Sequence, residues 1–321
     1  MKATAIAHLI QGLIKYHGLK DPVLRIPFHD SISVCADALE TITTVQFDRN
    51  LLGDSVVIND KRISGAEFER IMAVVRKLAH MAKNSDNFKI VSKNNLTFGK
   101  GLGFSASGFA ALGLASREAL ELDIDEVSLS EIVRLGAGSA TRSLVGGFSI
   151  WYADRGGRSY AEQLASPDSM DFMQVVIPVA SDVKTDEAHI EVLSSPLFQA
   201  RLDHIDEMLA SMRAAIACKD VGAIGRLAEE DTLNLHAITM TGKSHIVLWE
   251  PETVRVIKEV IKMRDEGVSA WYSMDTGPSV FVNTDSRHVK EVARRLVALG
   301  LSKVIVSKVG RHPSICDDNL F

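Results

Sequence analysis

Four short segments of the chain carry side chains that could hold or transform an anion. The first is "GKGLGFSASG", Gly99 to Gly108, where Gly101, Gly103 and Gly108 precede a small-residue-rich stretch. Glycines let a backbone approach an anion closely, and the N–H groups opening a helix supply partial positive charge. The spacing is not that of a P-loop, and no acidic residue follows as in a dinucleotide-binding turn. Glycines that allow close helix packing explain the loop equally well. The second segment is "GAGSATRSLVGG", where Ser139 and Arg142 could clamp a carboxylate or phosphate, the guanidinium offering a planar fork. The competing reading is a capping serine and an arginine on a solvated helix face. The third is "SMDTGPS", which puts Asp275 in a turn that an aspartate makes readily by itself. The fourth, "LIKYHGLKD", gathers Lys15, Tyr16, His17 and Lys20, and is also readable as a charged turn.

The elements that would position these groups are a mixture of strands and helices. "ATAIAHLIQ", "SISVCAD", "ITTVQFD", "NFKIVSK", "FSIWYAD" and "FMQVVIPVA" read as strands. "SVVINDKRIS" reads as two strands around a tight turn at Asn59 and Asp60. Phe68, Ile71, Met72, Val75 and Leu78 recur at three and four residues, which predicts a helix over 65–83. Helices are also expected over "SASGFAALGLASREALEL" and "SLSEIVRLGAG", and they dominate from about Thr185 onward. There "VSAWYSMDTGPSVFVNT" reads as two strands flanking the Asp275 turn. Strands and helices do not alternate regularly, which favours α+β over a doubly wound parallel sheet. The expected division is an N-terminal domain over 1–184 and a C-terminal domain over 185–321.

Bulk properties narrow the function classes. The chain has 321 residues, 46% hydrophobic and 24% charged, with a net charge of −5. That balance gives no overall basic field and no basic stripe with interleaved aromatics, so nucleic acid is not the expected partner. Cys35, Cys218 and Cys316 are far apart and lack metal-ligand or disulfide-framework spacing. The histidines, among them His189, His204, His236, His245 and His288, show no metal-ligand spacing either, so no metal site is expected. "EED", Glu229 to Asp231, reads as a solvated helix face. With no signal-peptide pattern and no span long enough for a bilayer, a cytoplasmic location away from membranes is expected.

Taken in order, "LIKYHG", "HDSISV", "GLGFSASG", "GSATRSLVGG" and "MDTGPS" are more specific than any one of them. With "SSPLFQAR", "EEDTLNLHA" and "SKVGRHPSICDD", they resemble the GHMP kinase superfamily and, within it, the mevalonate diphosphate decarboxylase branch, from about Ala3 to the end. The resemblance implies a ribosomal-S5-domain-2-like N-terminal domain, a ferredoxin-like C-terminal domain and a site between them, usually in a homodimer. It implies a phosphorylated mevalonate substrate that loses CO2 and phosphate, an activity of isoprenoid biosynthesis. By this similarity Asp275, Arg142 and Lys15 are the catalytic set, with Arg142 on the substrate carboxylate. Tyr16, His17, Lys20, Arg70, Ser105, Ser107 and Ser139 are implied at the substrate, Arg70 near its 5-phosphate.

Five departures from the branch pattern set a further expectation. Lys15-Tyr16-His17-Gly18-Leu19 stands where the branch reads K-Y-W-G-K, so a lysine meeting the diphosphate is replaced by Leu19. Phe104 stands where a serine faces the ATP phosphates. Thr97 replaces a proline, Ile10 an asparagine, and Asp186 and Glu187 add negative charge on the nucleotide side. A buried aromatic offers a phosphate no donor. The reading is therefore a decarboxylase that needs no cofactor and takes mevalonate 3,5-bisphosphate to isopentenyl phosphate, as in an archaeal-type mevalonate pathway. The alternative is a decarboxylase of 5-phosphomevalonate or the diphosphate that uses ATP and Mg.

Overall fold

A computed structural model of the protein describes residues 1–99, 102–181 and 189–321. The strand Lys2–Ile14 runs through the middle of an eight-stranded mixed sheet. It lies antiparallel to Ser31–Asp48 on one side and to Ser314–Cys316 on the other. Ser31–Asp48 is one 18-residue strand where the sequence suggests two. It pairs at its far end with Asn87–Asn94 and at its start with Phe148–Trp151. Ser55–Ile58 runs parallel to Asn87–Asn94, and the intervening chain forms the Gly65–Met81 helix. The turn expected at Asn59 and Asp60 is present, both residues having positive φ (48° and 63°), as short hairpin turns require.

A second, four-stranded antiparallel sheet has the order Trp271–Ser273, Val280–Thr284, Met173–Ile177, Ile305–Ser307. Met173–Ile177 precedes the expected domain boundary, yet its partners all come from the C-terminal part. The boundary itself, between 184 and 185, lies outside the described residues.

Three apolar clusters hold these layers. Val74, Val75, Leu78, Ala110, Ala111, Ala115 and Val133 fill the space between the first sheet and the helices Gly65–Met81, Phe104–Ala119 and Glu126–Gly136. The alanines and Gly113 let the middle helix sit close; a methyl group at Gly113 would come within 2.2 Å of Val133. A second cluster joins Leu13, Ile14, Ile32 and Val34 to the helices Phe198–Ala217 and Val221–Met240. A third packs Pro251–Asp265 and Val289–Ala298 on the second sheet. The second cluster seats the Val221–Met240 helix against the first sheet, beside the strand Trp271–Ser273. No helix of the described residues is long and apolar enough to cross a membrane.

Candidate active site

Asp275 follows the strand Trp271–Ser273 and turns back towards the first sheet. Its carboxylate accepts from the Gly12 N–H, at 3.0 Å to Oδ1 and 3.3 Å to Oδ2. Only glycine permits this approach, because a Cβ at position 12 would lie 2.7 Å from Asp275 Oδ1 and 2.6 Å from Lys15 Cγ. Burial pushes the Asp275 carboxyl up to about 6, against the opposing pull of Lys15 and Arg142. Asp275 is half-buried, and a carboxylate held this way by a backbone N–H is a fixed negative charge able to stabilise positive charge on a reacting carbon.

Lys15 lies just past the end of the same strand and is 4% exposed. Its Nζ donates to Thr232 Oγ1 at 3.0 Å and to the Ala228 carbonyl at 3.3 Å, with Asp231 Oδ2 at 3.4 Å. Burial lowers the Lys15 ammonium from its ordinary range, while Asp231 and Asp275 act in the opposite direction. Burial alone would raise Asp231, but Arg201, Lys15 and the Lys15 N–H together hold it below the usual carboxylate range. Asp231 is therefore no part of a solvated face: it is 1% exposed. On the Val221–Met240 helix it shares the inward stripe with Ile224, Ala228, Leu235 and Ile238. That three- and four-residue spacing is visible in the sequence and was the signal available for it. Arg201, from "SSPLFQAR", is the second functional candidate that residue types alone missed. Its Nη2 donates to Asp231 Oδ1 at 2.8 Å and to the Lys15 carbonyl at 2.6 Å.

Arg142 is 2% exposed on the short helix Ala140–Val145, which contradicts a solvated helix face. Its Nε and Nη1 have no hydrogen-bond partner. Its guanidinium carbon stands 5.5 Å from the Tyr16 ring centre and 5.9 Å from that of Trp151. Burial lowers Arg142 from its ordinary value, and the charge of Asp275 is among the groups opposing this. A buried cation with unused donors is costly unless an anion completes it, so Arg142 is built to receive one.

The remaining sequence candidates divide. Tyr16 stacks on His189 at 5.1 Å and meets Trp151 edge-on at 4.9 Å. Ser139 opens the Arg142 helix without capping it through its side chain. His17 is turned inward, its Nδ1 3.1 Å from His189 Nδ1 and its Nε2 3.1 Å from Thr239 Oγ1, and burial drives it well below the ordinary histidine range. Ser107 is also turned inward, 2.7 Å from Thr41 Oγ1. Lys20 is exposed and Leu19 half-buried. Arg70 donates to the Gly136 carbonyl at 2.9 and 2.7 Å.

Arg70 also lines a pocket of ≈ 180 Å³ together with Ser105 and Phe104. Its walls are mainly apolar, from Val56, Ile58, Ile90 and Phe109, with Thr43, Glu67, Ser92 and Asn94 as further polar groups. At the loop, Gly103 has φ +76°, and a Cβ there would lie 3.2 Å from the Ile10 carbonyl. Phe104 packs against the cluster of Leu9, Leu39, Leu102 and Phe281, while Ile10 packs with Ala106 and Cys35. Of the side chains from Phe104 to Ser107, only Ser105 is an exposed hydroxyl. Asp186, Glu187 and Gly101 lie outside the described residues.

Lys15, Arg142 and Asp275 thus come together on a mixed α+β fold of two sheets, and it is the comparisons with known proteins that give the class of enzyme. Residues 7–161 match the diphosphomevalonate decarboxylase-like N-terminal domain, and residues 183–303 the mevalonate 5-diphosphate decarboxylase C-terminal domain. The phosphomevalonate decarboxylase of Haloferax volcanii is 39% identical, with 99% of each chain covered. The diphosphomevalonate decarboxylase of Candida albicans is 30% identical, with 99% of each covered. The mevalonate diphosphate decarboxylase structure from Staphylococcus aureus superposes with a TM-score of 0.92 at 31% identity, covering 98% of each chain. The chain belongs to the diphosphomevalonate decarboxylase family, has its GHMP-type two-domain fold, and is a carboxy-lyase of the mevalonate pathway.

Proposed function

We propose that the protein decarboxylates mevalonate 3,5-bisphosphate without ATP, releasing isopentenyl phosphate, CO2 and phosphate. The reading is carried by the contrast between a complete charged centre and an apolar loop. Arg142, with free buried donors, binds the substrate C1 carboxylate and aligns the C1–C2 bond with the emptying orbital at C3. The C3–O bond breaks with its electron pair leaving on phosphate. Asp275 stabilises the positive charge left at C3, and Lys15 the negative charge on the departing phosphate. The C1–C2 pair then forms the alkene as CO2 departs. A substrate already phosphorylated at C3 has no hydroxyl to deprotonate, so Asp275 acts as a fixed charge. Leu19 in place of a second lysine suits a 5-monophosphate better than a diphosphate.

ATP and Mg are the cofactors that the family implies, and the loop fits their phosphates poorly. Phe104 and Ala106 supply no side-chain donor, Ser107 is bonded inward to Thr41, and Ile10 is packed in an apolar cluster, which leaves Ser105 as the exposed hydroxyl among residues 104–107. A second reading, an ATP-dependent 5-phosphomevalonate decarboxylase, is favoured by the apolar-walled pocket at the helix start and by the name of the Haloferax relative. Calorimetric titration with ATP and Mg²⁺ discriminates the two. The proposal expects no saturable binding into the millimolar range, and micromolar binding would favour the second reading.

A further inference from the structure

The proposed centre leaves two neighbouring buried charged groups, Asp231 and Arg201, without a role. Asp231 reaches from the Val221–Met240 helix to the end of the first strand and grips a single residue there. Its Oδ2 accepts from the Lys15 N–H at 3.0 Å and lies 3.4 Å from Lys15 Nζ. Its Oδ1 accepts from Arg201 Nη2, and that same nitrogen donates to the Lys15 carbonyl. Every polar atom of Lys15 is thus tied to Asp231 directly or through Arg201 and Thr232. Thr232, the next residue, joins this to the catalytic turn. Its hydroxyl donates to the Ala228 carbonyl at 2.7 Å and accepts from both Lys15 Nζ at 3.0 Å and Met274 N at 3.2 Å. Met274 is the neighbour of Asp275.

We propose that Asp231 is a positioning residue for the reaction: with Thr232 it locks Lys15 and the Asp275 turn to one turn of one helix and keeps Lys15 charged. The inference rests on the reading of Lys15 and Asp275 as members of the reacting centre. Around Lys15 stand Asp231, Arg201 and Asp275, and Arg142 adds to the field at Asp275. Also nearby are His236, on the same helix, His29 and His17, from the first domain, and His189, which lies 3.1 Å from His17. Burial drives His236, His29 and His17 well below the ordinary histidine range, so these three stay neutral. Asp231, 3.4 Å from Lys15 Nζ, is consequently the protein carboxylate that stays paired with Lys15 when Asp275 is engaged with substrate. Removing its charge leaves Lys15 beside Arg201 with less compensation, so Lys15 loses its proton at lower pH.

The test is the pH–rate profile of Asp231→Asn between pH 6 and 10, with 5-phosphorylated substrate turnover as readout and thermal denaturation as a folding control. The expected result is an alkaline limb displaced downward by about one unit, roughly a tenfold loss of rate at a fixed pH above it. A lower rate with an unmoved alkaline limb overturns the proposal, because it is what a purely structural contact gives. If Asp231→Asn does not fold, Thr232→Val, which removes an acceptor from Lys15 Nζ, is judged by the same limb. Lys15→Met, assayed in parallel, separates the two levels. Wild-type turnover in Lys15→Met overturns the reading of the centre itself. Impaired Lys15→Met beside an unshifted Asp231→Asn overturns only the role of Asp231.

Discussion

Two positions on one strand separate two regions of opposite character. Gly12 borders the charged cluster of Asp275, Lys15, Asp231 and Arg201, in which Lys15 and Arg201 share the buried Asp231 carboxylate and Asp275 is held by the Gly12 N–H. Ile10, two residues earlier, borders the glycine-rich loop, where Ile10, Cys35 and Ala106 form an apolar contact and Phe104 packs into another cluster. Burying several ions costs several kcal/mol per charge unless hydrogen bonds and opposite charges offset it. A protein carries such a cluster when the charges are used. Around the described part of the loop the side chains at 10, 104 and 106 are carbon, which under the proposed function suits a region that holds no nucleotide phosphate. Under the proposed function the chemistry belongs to the first region, and the second is architecture around a pocket.

The largest expected effect breaks the first region. Asp275→Asn keeps shape and removes the charge, and we predict a loss of about 10²–10³ or more in kcat, the scale for one preorganised electrostatic group. A near-normal rate removes Asp275 from the centre. Stability should move the other way. The folded carboxyl is raised to about 6, so its contribution is present below the unfolded aspartate range and lost as pH rises through about 6. Asp275→Asn is therefore expected to melt higher than wild type at pH 7.5. Next in size is Gly12→Ala, whose methyl group would meet both Asp275 Oδ1 and Lys15 Cγ. Displacing the two groups together is expected to cost roughly 10²-fold in rate, as misplacements of about 1 Å do. Unchanged kinetics would show that the close approach has no bearing on the centre.

A milder perturbation needs no mutation. Because the charged form of Asp275 is the one used, wild-type turnover should fall as pH drops through about 6. A rate that stays level down to pH 5 contradicts that role. The smallest effect sharpens the second region. Phe104→Ser restores one hydroxyl but leaves Ile10, Ala106 and the inward Ser107 in place, so no ATP hydrolysis is expected. Measurable hydrolysis would show that Phe104 alone blocked the nucleotide.

Much of this was legible in the sequence, for reasons that also explain the rest. Lys15, Arg142 and Asp275 were readable because motif order ties each to a strand end, a short helix or a turn, and the fold brings the three together. Asp231 was misread because three consecutive acidic residues suggest solvent, whereas its neighbours at three and four residues mark the buried face. Arg201 was quoted within a motif without a role, since its partners Lys15 and Asp231 are 186 and 30 residues away. His17 and Ser107 lie within functional motifs yet point inward, a direction that spacing does not reveal. The long strand Ser31–Asp48 read as two because Ala36 to Glu40 interrupts the apolar alternation, and its register with the first strand shifts there.

The most direct test of the division between the two regions is CO2 release from mevalonate 3,5-bisphosphate by purified enzyme with no nucleotide present. The account predicts steady release, with one phosphate and one isopentenyl phosphate per CO2. No release, together with turnover of 5-phosphomevalonate once ATP and Mg²⁺ are added, would contradict it.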